Sequence, residues 1–224
     1  MISAISRMSQ TGFFISFEGS EGCGKSTQIR LLVNSLSAAG KTPLLVREPG
    51  STPIGESLRH LLQHSAEGWL MEPETELLLF AASRAQLVRQ VILPALEAGQ
   101  IVISDRFLDS TTVYQGVARR IPTEIVDTIN RFAAGPKLPD VTFLLDMDSA
   151  EAHRRLIRRP DANRDRMEEL PPAFYEAVRG GYLELAGAYP DRIRLLDATK
   201  AQGEIARDVR AALCDHAIFK GIGV

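Results

Sequence analysis

Cysteine is scarce in this sequence: its 224 residues include only Cys23 and Cys214. Two cysteines cannot build a disulfide framework, and their separation matches no zinc-ligand spacing, which suits a reducing compartment such as the cytoplasm. A net charge of either sign is missing as well. The 26 Lys plus Arg stand against 28 Asp plus Glu, a formal charge of -2. That gives no strongly basic surface of the kind long nucleic acid rewards. Apolar runs are short, and none reaches the roughly 18 residues that a membrane span needs. The first residues, MISAISRMSQTGFFISF, interleave Ser, Arg and Gln with apolar side chains, so they hold no signal-peptide core, and Met8 is a second candidate start beside Met1. Repeats, heptads and low-complexity tracts are also absent, which excludes solenoids and coiled coils. What is present is 45% hydrophobic content over 224 residues, enough for the core of one domain spanning residues 1–224.

The hydrophobic pattern alternates between two periods. Short runs rich in β-branched residues predict strands at 13–17, 42–46, 101–104, 141–145 and 192–196. Between them lie helical patterns. Residues 26–39 carry Ile29, Leu32, Val33 and Leu36 at helical spacing and stop at Gly40; residues 74–98 carry Leu77, Phe80, Leu87 and Val91, with Pro94 expected to kink or divide them. Strands separated by helices imply right-handed crossovers and a parallel sheet covered on both faces, a three-layer α/β/α fold. Ligands in such folds collect at the carboxyl ends of the strands.

At the end of the first predicted strand stands GSEGCGKST, residues 19–27, which fits G-x-x-x-x-G-K-[ST] and runs directly into a helix. This strand, loop and helix order is the P-loop context. Gly19, Ser20, Glu21, Gly22, Cys23, Gly24, Lys25, Ser26 and Thr27 are the expected ATP-binding residues. Glycines let successive amides turn toward phosphate oxygens, and the helix N-terminus adds its positive end. Lys25 supplies a point charge for the β- and γ-phosphates, and the Ser26 hydroxyl is placed to ligate Mg²⁺. Cys23 reads as a small residue tolerated in the loop rather than a redox group. A P-loop alone leaves many activities open. The sequence has no Asn-Lys-x-Asp run of a GTPase and no basic platform for a helicase, which leaves a kinase of a small acceptor in the lead.

The third strand leads into ISDRFLDSTTVYQG, residues 103–116, where Asp105 can hold Mg²⁺ or its water and Arg106 can grip a phosphate with its planar fork. An isolated Asp-Arg pair would more often be a surface ion pair, but the longer string carries more information. D-R-F-x-x-S-T-x-x-Y-Q resembles the D-R-[YFH]-x-x-S-x-x-A-Y-Q signature of the thymidylate kinase family, with Val113 where that family has alanine. VREPGSTPIGESLR (46–59) is similar to the family's R-E-P-G-G-T segment with Ser51 for the second glycine. ELLLFAASRAQLV (76–88) resembles its substrate helix, and LLDAT (195–199) agrees with the family's C-terminal segment.

The resemblance implies ATP as donor, dTMP as acceptor, Mg²⁺ as cofactor and a homodimer. Carried over by position, Phe80 stacks on the thymine ring, Arg84 reads a base carbonyl, and Thr111 faces the pyrimidine edge. Tyr114 closes against the sugar C2′ with Gln115 supporting it. Glu48, Pro49 and Arg59 lie by the acceptor sugar and phosphate, while Glu21 touches the sugar or the metal. Relatives place a catalytic arginine either in the P-loop or in a lid; Gly22 occupies the loop position here, so the charge is expected from a lid at residues 151–169. Six arginines fall there, Arg154, Arg155, Arg158, Arg159, Arg164 and Arg166. Arg159 and Arg164 are the leading candidates, which sequence does not separate, with Arg158 or Arg166 behind them and Arg154 and Arg155 readable as a solvated face. Two other functions remain open at this point: a kinase of dUMP or UMP, and a nucleotide-binding regulatory module without turnover.

Overall fold

The computed structural model describes residues 12–158, 165–214 and 216–219. Among these residues the strands β1 (Phe13–Glu18), β2 (Leu44–Arg47), β3 (Ile101–Asp105), β4 (Val141–Asp146) and β5 (Ile193–Asp197) form one sheet in the order β2-β3-β1-β4-β5. Every pairing is parallel. The chain runs outward from β1 to β2, returns to β3, then passes to β4 on the other side of β1. That reversal opens a crevice at the carboxyl ends of β1 and β3, the usual place for a ligand in such sheets. Their register sets Phe17 opposite Asp105, so the P-loop and the Asp-Arg turn begin side by side.

Alternation along β1 sorts its side chains between two layers. Phe13, Ile15 and Phe17 join Ile29, Leu32 and Leu36 of α1 (Lys25–Ala38) and Val209 and Leu213 of α9 (Gln202–Leu213). Phe14 points the other way and packs with Leu87 of α3 (Pro73–Leu87), Val102 and Phe107. Ser16 and Glu18 share the parity of Phe14 and are fully buried. This face of the sheet therefore carries a carboxylate inside its core.

Most predicted elements appear, with two informative shifts. β2 starts at Leu44 rather than residue 42, because Pro43 has no N–H to give to the ladder. Helix α1 starts at Lys25, behind a left-handed Gly24 with φ 100°. Residues 74–98 divide as expected, into α3, a π-helical turn Val88–Ile92 and α4 (Leu93–Glu97); Pro94 cannot donate to the carbonyl four residues back, and the wider turn lies where that bond would fall. The whole stretch Pro73–Glu97 is long and apolar enough by composition to cross a membrane, yet Leu77, Leu87, Val88 and Ile92 are buried in the protein interior.

The other helices frame the site: α2 (Pro53–Gln63), α5 (Leu108–Thr111), α6 (Thr123–Ala134), α7 (Ser149–Ile157) and α8 (Pro172–Ala188). A second π-helical stretch, Thr112–Ala118, continues α5 and carries Tyr114 and Gln115.

Candidate active site

The phosphate loop has the form its sequence requires. Lys25 donates from Nζ to the carbonyls of Gly19 and Ser20, both at 2.9 Å, so its ammonium is drawn over the loop it follows. Gly22 has φ 79°, and a Cβ there would lie 2.3 Å from the carbonyl oxygen of Ala152 on α7. Backbone conformation and space both forbid an arginine at position 22. Cys23 is buried in the core cluster, as a small structural residue would be. Across the crevice the Ser26 hydroxyl donates to Asp105 Oδ2 at 3.4 Å.

Two cavities meet at this point. The larger, about 680 Å³, is lined by Lys25, Ser26, Asp105, Arg59 and Arg155 among others. The smaller, about 40 Å³, is lined by Phe80, Arg84, Thr111, Tyr114 and Gln115 among others. Glu21, Glu48, Gln63 and Arg106 belong to both. Phe80 is half-buried and faces this cavity, whereas a core aromatic on α3 would be sealed.

Arg106 occupies the junction. Its backbone is left-handed, with φ 69°, and is held there by its amide donating to the Phe17 carbonyl at 3.0 Å and by Ser104 Oγ donating to its carbonyl at 2.5 Å. Its Nη2 donates to Glu21 at 2.6 Å and to the Tyr114 hydroxyl at 3.2 Å, and the guanidinium lies 5.1 Å from the Tyr114 ring centre. Burial would raise the Glu21 carboxyl, but Arg106, Lys25 and the Tyr114 hydroxyl outweigh it and hold the group below the usual carboxylate range. The Glu21 side chain thus lies at the junction of the two cavities, although its position in the chain is in the phosphate loop.

Several expected binding residues turn out to be tied to one another. Arg84, only 1% exposed, donates to Glu48 at 2.8 Å, Asn130 at 2.9 Å, the Phe107 carbonyl at 3.3 Å and Thr111 Oγ1 at 2.9 Å. Gln115 donates to Glu76 at 2.8 Å. Arg59 donates to the Pro49 carbonyl at 3.0 Å, which fixes the turn after β2.

In the segment expected to form the lid, Arg154 and Arg155 pair with Glu151 on the outer face of α7, and Arg155 also donates to the Ala198 carbonyl at 3.2 Å. Arg166, the fallback source of lid charge, is ruled out for that role: it is buried and donates to the Leu62 carbonyl at 2.9 Å and to Glu76 at 2.5 Å. Arg159 and Arg164 lie outside the described residues. Sequence reasoning missed Glu18, Tyr182, Asn130 and Glu76, whose roles depend on distant partners.

Glu48 carries a testable electrostatic signature. Burial pushes its carboxyl up to about 7 against the opposing pull of Arg84, with Glu18 adding to the rise, and its Oε1 has no hydrogen-bond partner among the described residues. A raised carboxyl favours the folded state fully below the unfolded pKa and loses that advantage as pH climbs through about 7. Going from pH 5.5 to pH 8, Glu48→Gln should therefore gain about 2 kcal/mol relative to wild type in urea unfolding. A difference that stays constant or shrinks would mean Glu48 titrates normally.

Comparisons with known proteins agree with this geometry. The family model described as "Thymidylate kinase" matches residues 17–209. A thymidylate kinase of Symbiobacterium thermophilum is 46% identical over 197 residues, covering 88% of this chain and 90% of its own. One of Dinoroseobacter shibae is 45% identical over 207 residues, covering 92% and 98%. The crystal structure of thymidylate kinase from Ehrlichia chaffeensis superimposes with a TM-score of 0.72 at 34% identity, covering 90% of this chain and 98% of that one.

Proposed function

The chain belongs to the thymidylate kinase family, and we infer from that membership that it transfers the γ-phosphoryl group of ATP to dTMP, giving dTDP and ADP. The observation that best supports this reading is the shared wall of the two cavities: Glu21, Glu48, Gln63 and Arg106 border both. A donor triphosphate on the loop and an acceptor monophosphate in the smaller cavity would meet at Arg106. A regulatory module has no need of that second, contiguous cavity.

Catalysis here is positioning and electrostatics. Lys25 follows charge onto the transferring group, and Arg106 holds the acceptor phosphate after Glu21 has yielded the Nη2 side of the guanidinium to it. Ser26 and Asp105 would hold Mg²⁺. Two hard oxygens close together suit an ion that takes few protein ligands and keeps water and phosphate oxygens. When bound, the ion neutralises the β- and γ-phosphate oxygens. Phe80 provides the face for the thymine ring and Arg84 lines the pocket edge with Thr111. Tyr114 and Gln115 form the wall by the sugar; Glu48, Pro49 and Arg59 shape the phosphate end. The lid, residues 151–169, supplies Arg159 or Arg164.

A coupled assay across dTMP, dUMP, UMP, dCMP and dGMP tests the assignment, with dTMP expected to give the highest kcat/KM; a higher value for UMP or dUMP would overturn it. Phe80→Ala should weaken dTMP by about 1 to 3 kcal/mol and leave ATP affinity unchanged, because only the acceptor base stacks there. Loss of thermal stability at unchanged dTMP affinity would instead make Phe80 a packing residue.

We place the enzyme in the cytoplasm as a homodimer that acts on free nucleotides, away from membranes and nucleic acid. Leu78, Ile125 and Phe132 support the dimer: they are exposed, Phe132 to 78%, on the helices α3 and α6 that pack together. Apolar groups of that size on adjoining helices suit a self-complementary face.

A further inference from the structure

Arg106 is gripped by a second carboxylate, on the side away from Glu21. Glu18, whose side chain is 1% exposed, accepts from the Phe107 amide at 2.7 Å, Ser110 Oγ at 2.6 Å and the Tyr182 hydroxyl at 2.8 Å. Its Oε2 stands 4.0 Å from Arg106 Nη1, beyond hydrogen-bond range. It reaches the arginine through the two hydroxyls instead. Each hydroxyl has a single hydrogen to give, with Glu18 Oε2 within reach of both and the two hydroxyls 2.9 Å from each other, so either can donate to the carboxylate or to its neighbour. Both hydroxyl oxygens also face Arg106, whose Nη1 donates to Ser110 Oγ at 3.0 Å and to the Tyr182 hydroxyl at 3.2 Å.

The two ends of the guanidinium are therefore unlike. The Nη2 end meets Glu21 and Tyr114 at the junction of the cavities, where an incoming phosphate can take their place. The Nη1 end is fixed in the interior. Tyr182 is itself held: α8 is tied down three residues earlier by Arg179, which donates to Asp146 at 2.8 Å and to Asp148 at 3.4 Å. The Glu18 amide contact also fixes Phe107, the residue after the left-handed Arg106.

We propose that Glu18 and Tyr182 are positioning residues for phosphoryl transfer, fixing the plane of the Arg106 guanidinium so that its outer edge meets the acceptor phosphate. This rests on the reading of Arg106 as the residue that holds that phosphate. Glu18 orients the hydroxyls, and the hydroxyls orient the arginine.

The test is steady-state kinetics with each substrate varied in turn, together with thermal unfolding. Tyr182→Phe keeps the ring and removes only the hydroxyl. It should lower kcat/KM for dTMP about tenfold, the scale of a hydrogen bond to a charged group, with the KM for ATP and the Tm essentially unchanged. Glu18→Gln should act in the same direction, and the double variant should be no worse than the worse single one, because both substitutions break one relay. Arg106→Ala serves as the reference and should lose dTMP selectively. If Arg106→Ala loses dTMP but Tyr182→Phe retains wild-type kcat/KM, the positioning role is refuted and the Arg106 reading stands. If Arg106→Ala leaves dTMP untouched, the Arg106 reading itself falls. Equal losses for ATP and dTMP with a lowered Tm in Tyr182→Phe would make the network scaffold only. Should Glu18→Gln not fold, Tyr182→Phe decides alone.

Discussion

Lys25→Ala is expected to reduce kcat by about 10²-fold or more while dTMP binding to the free enzyme stays close to wild type. The expectation follows from where the ammonium sits. Its Nζ is bound to the Gly19 and Ser20 carbonyls at 2.9 Å, at the mouth of the larger cavity and outside the lining of the smaller one. Removing it takes away charge that the transition state uses without altering the wall around the thymine. The two loop carbonyls also lose a donor, so part of the loss could come from a slackened loop. Measuring dTMP affinity by calorimetry and Tm beside kcat separates the two causes. A rate loss with both preserved assigns Lys25 to the chemistry; a Tm drop that accounts for the loss would make it a loop clamp. Turnover near wild type would remove the P-loop from the mechanism.

How much of this was legible in the sequence depended on the range over which a residue acts. The P-loop is local: spacing, glycine content and the following helix are contiguous, and the folded loop follows them. The Asp105-Arg106 pair was also readable, because it ends a strand whose neighbour β1 carries the loop. Phe80 faces the acceptor cavity as its position in the substrate helix implied. The electrostatic partners were not readable. Tyr182 lies 164 positions from Glu18, and Arg166 lies 90 from Glu76. Nothing in a linear pattern marks a carboxylate at the end of a strand as the centre of a buried network; the parity of β1 puts Glu18 on the acceptor face, and α8 then brings Tyr182 to it. Arg166 failed as a source of lid charge for the same reason. Its neighbours in sequence made it look like one more basic residue in a loop, while its partners in space, Glu76 and Leu62, hold it inside the protein.

That exclusion sharpens the last prediction, which concerns the lid. Arg166 is committed to Glu76, and Arg154 and Arg155 are paired with Glu151. Position 22 cannot carry an arginine against the Ala152 carbonyl. The transferring phosphoryl group still needs positive charge over its equatorial oxygens, and a single well-placed arginine is worth about 10³ to 10⁵ in rate in related phosphoryl-transfer enzymes. The double variant Arg159→Ala/Arg164→Ala should therefore lower kcat by about 10³-fold, while ATP and dTMP affinities change little, because charge that acts mainly in the transition state leaves ground-state binding alone. The single variants should divide unequally, with most of the loss in one of them. A double variant that turns over at the wild-type rate sinks the assignment to Arg159 and Arg164 and directs attention to Arg158 and to Arg155, which lines the larger cavity. A raised KM for ATP at unchanged kcat would mean that the pair binds the donor uniformly and does not stabilise the transition state.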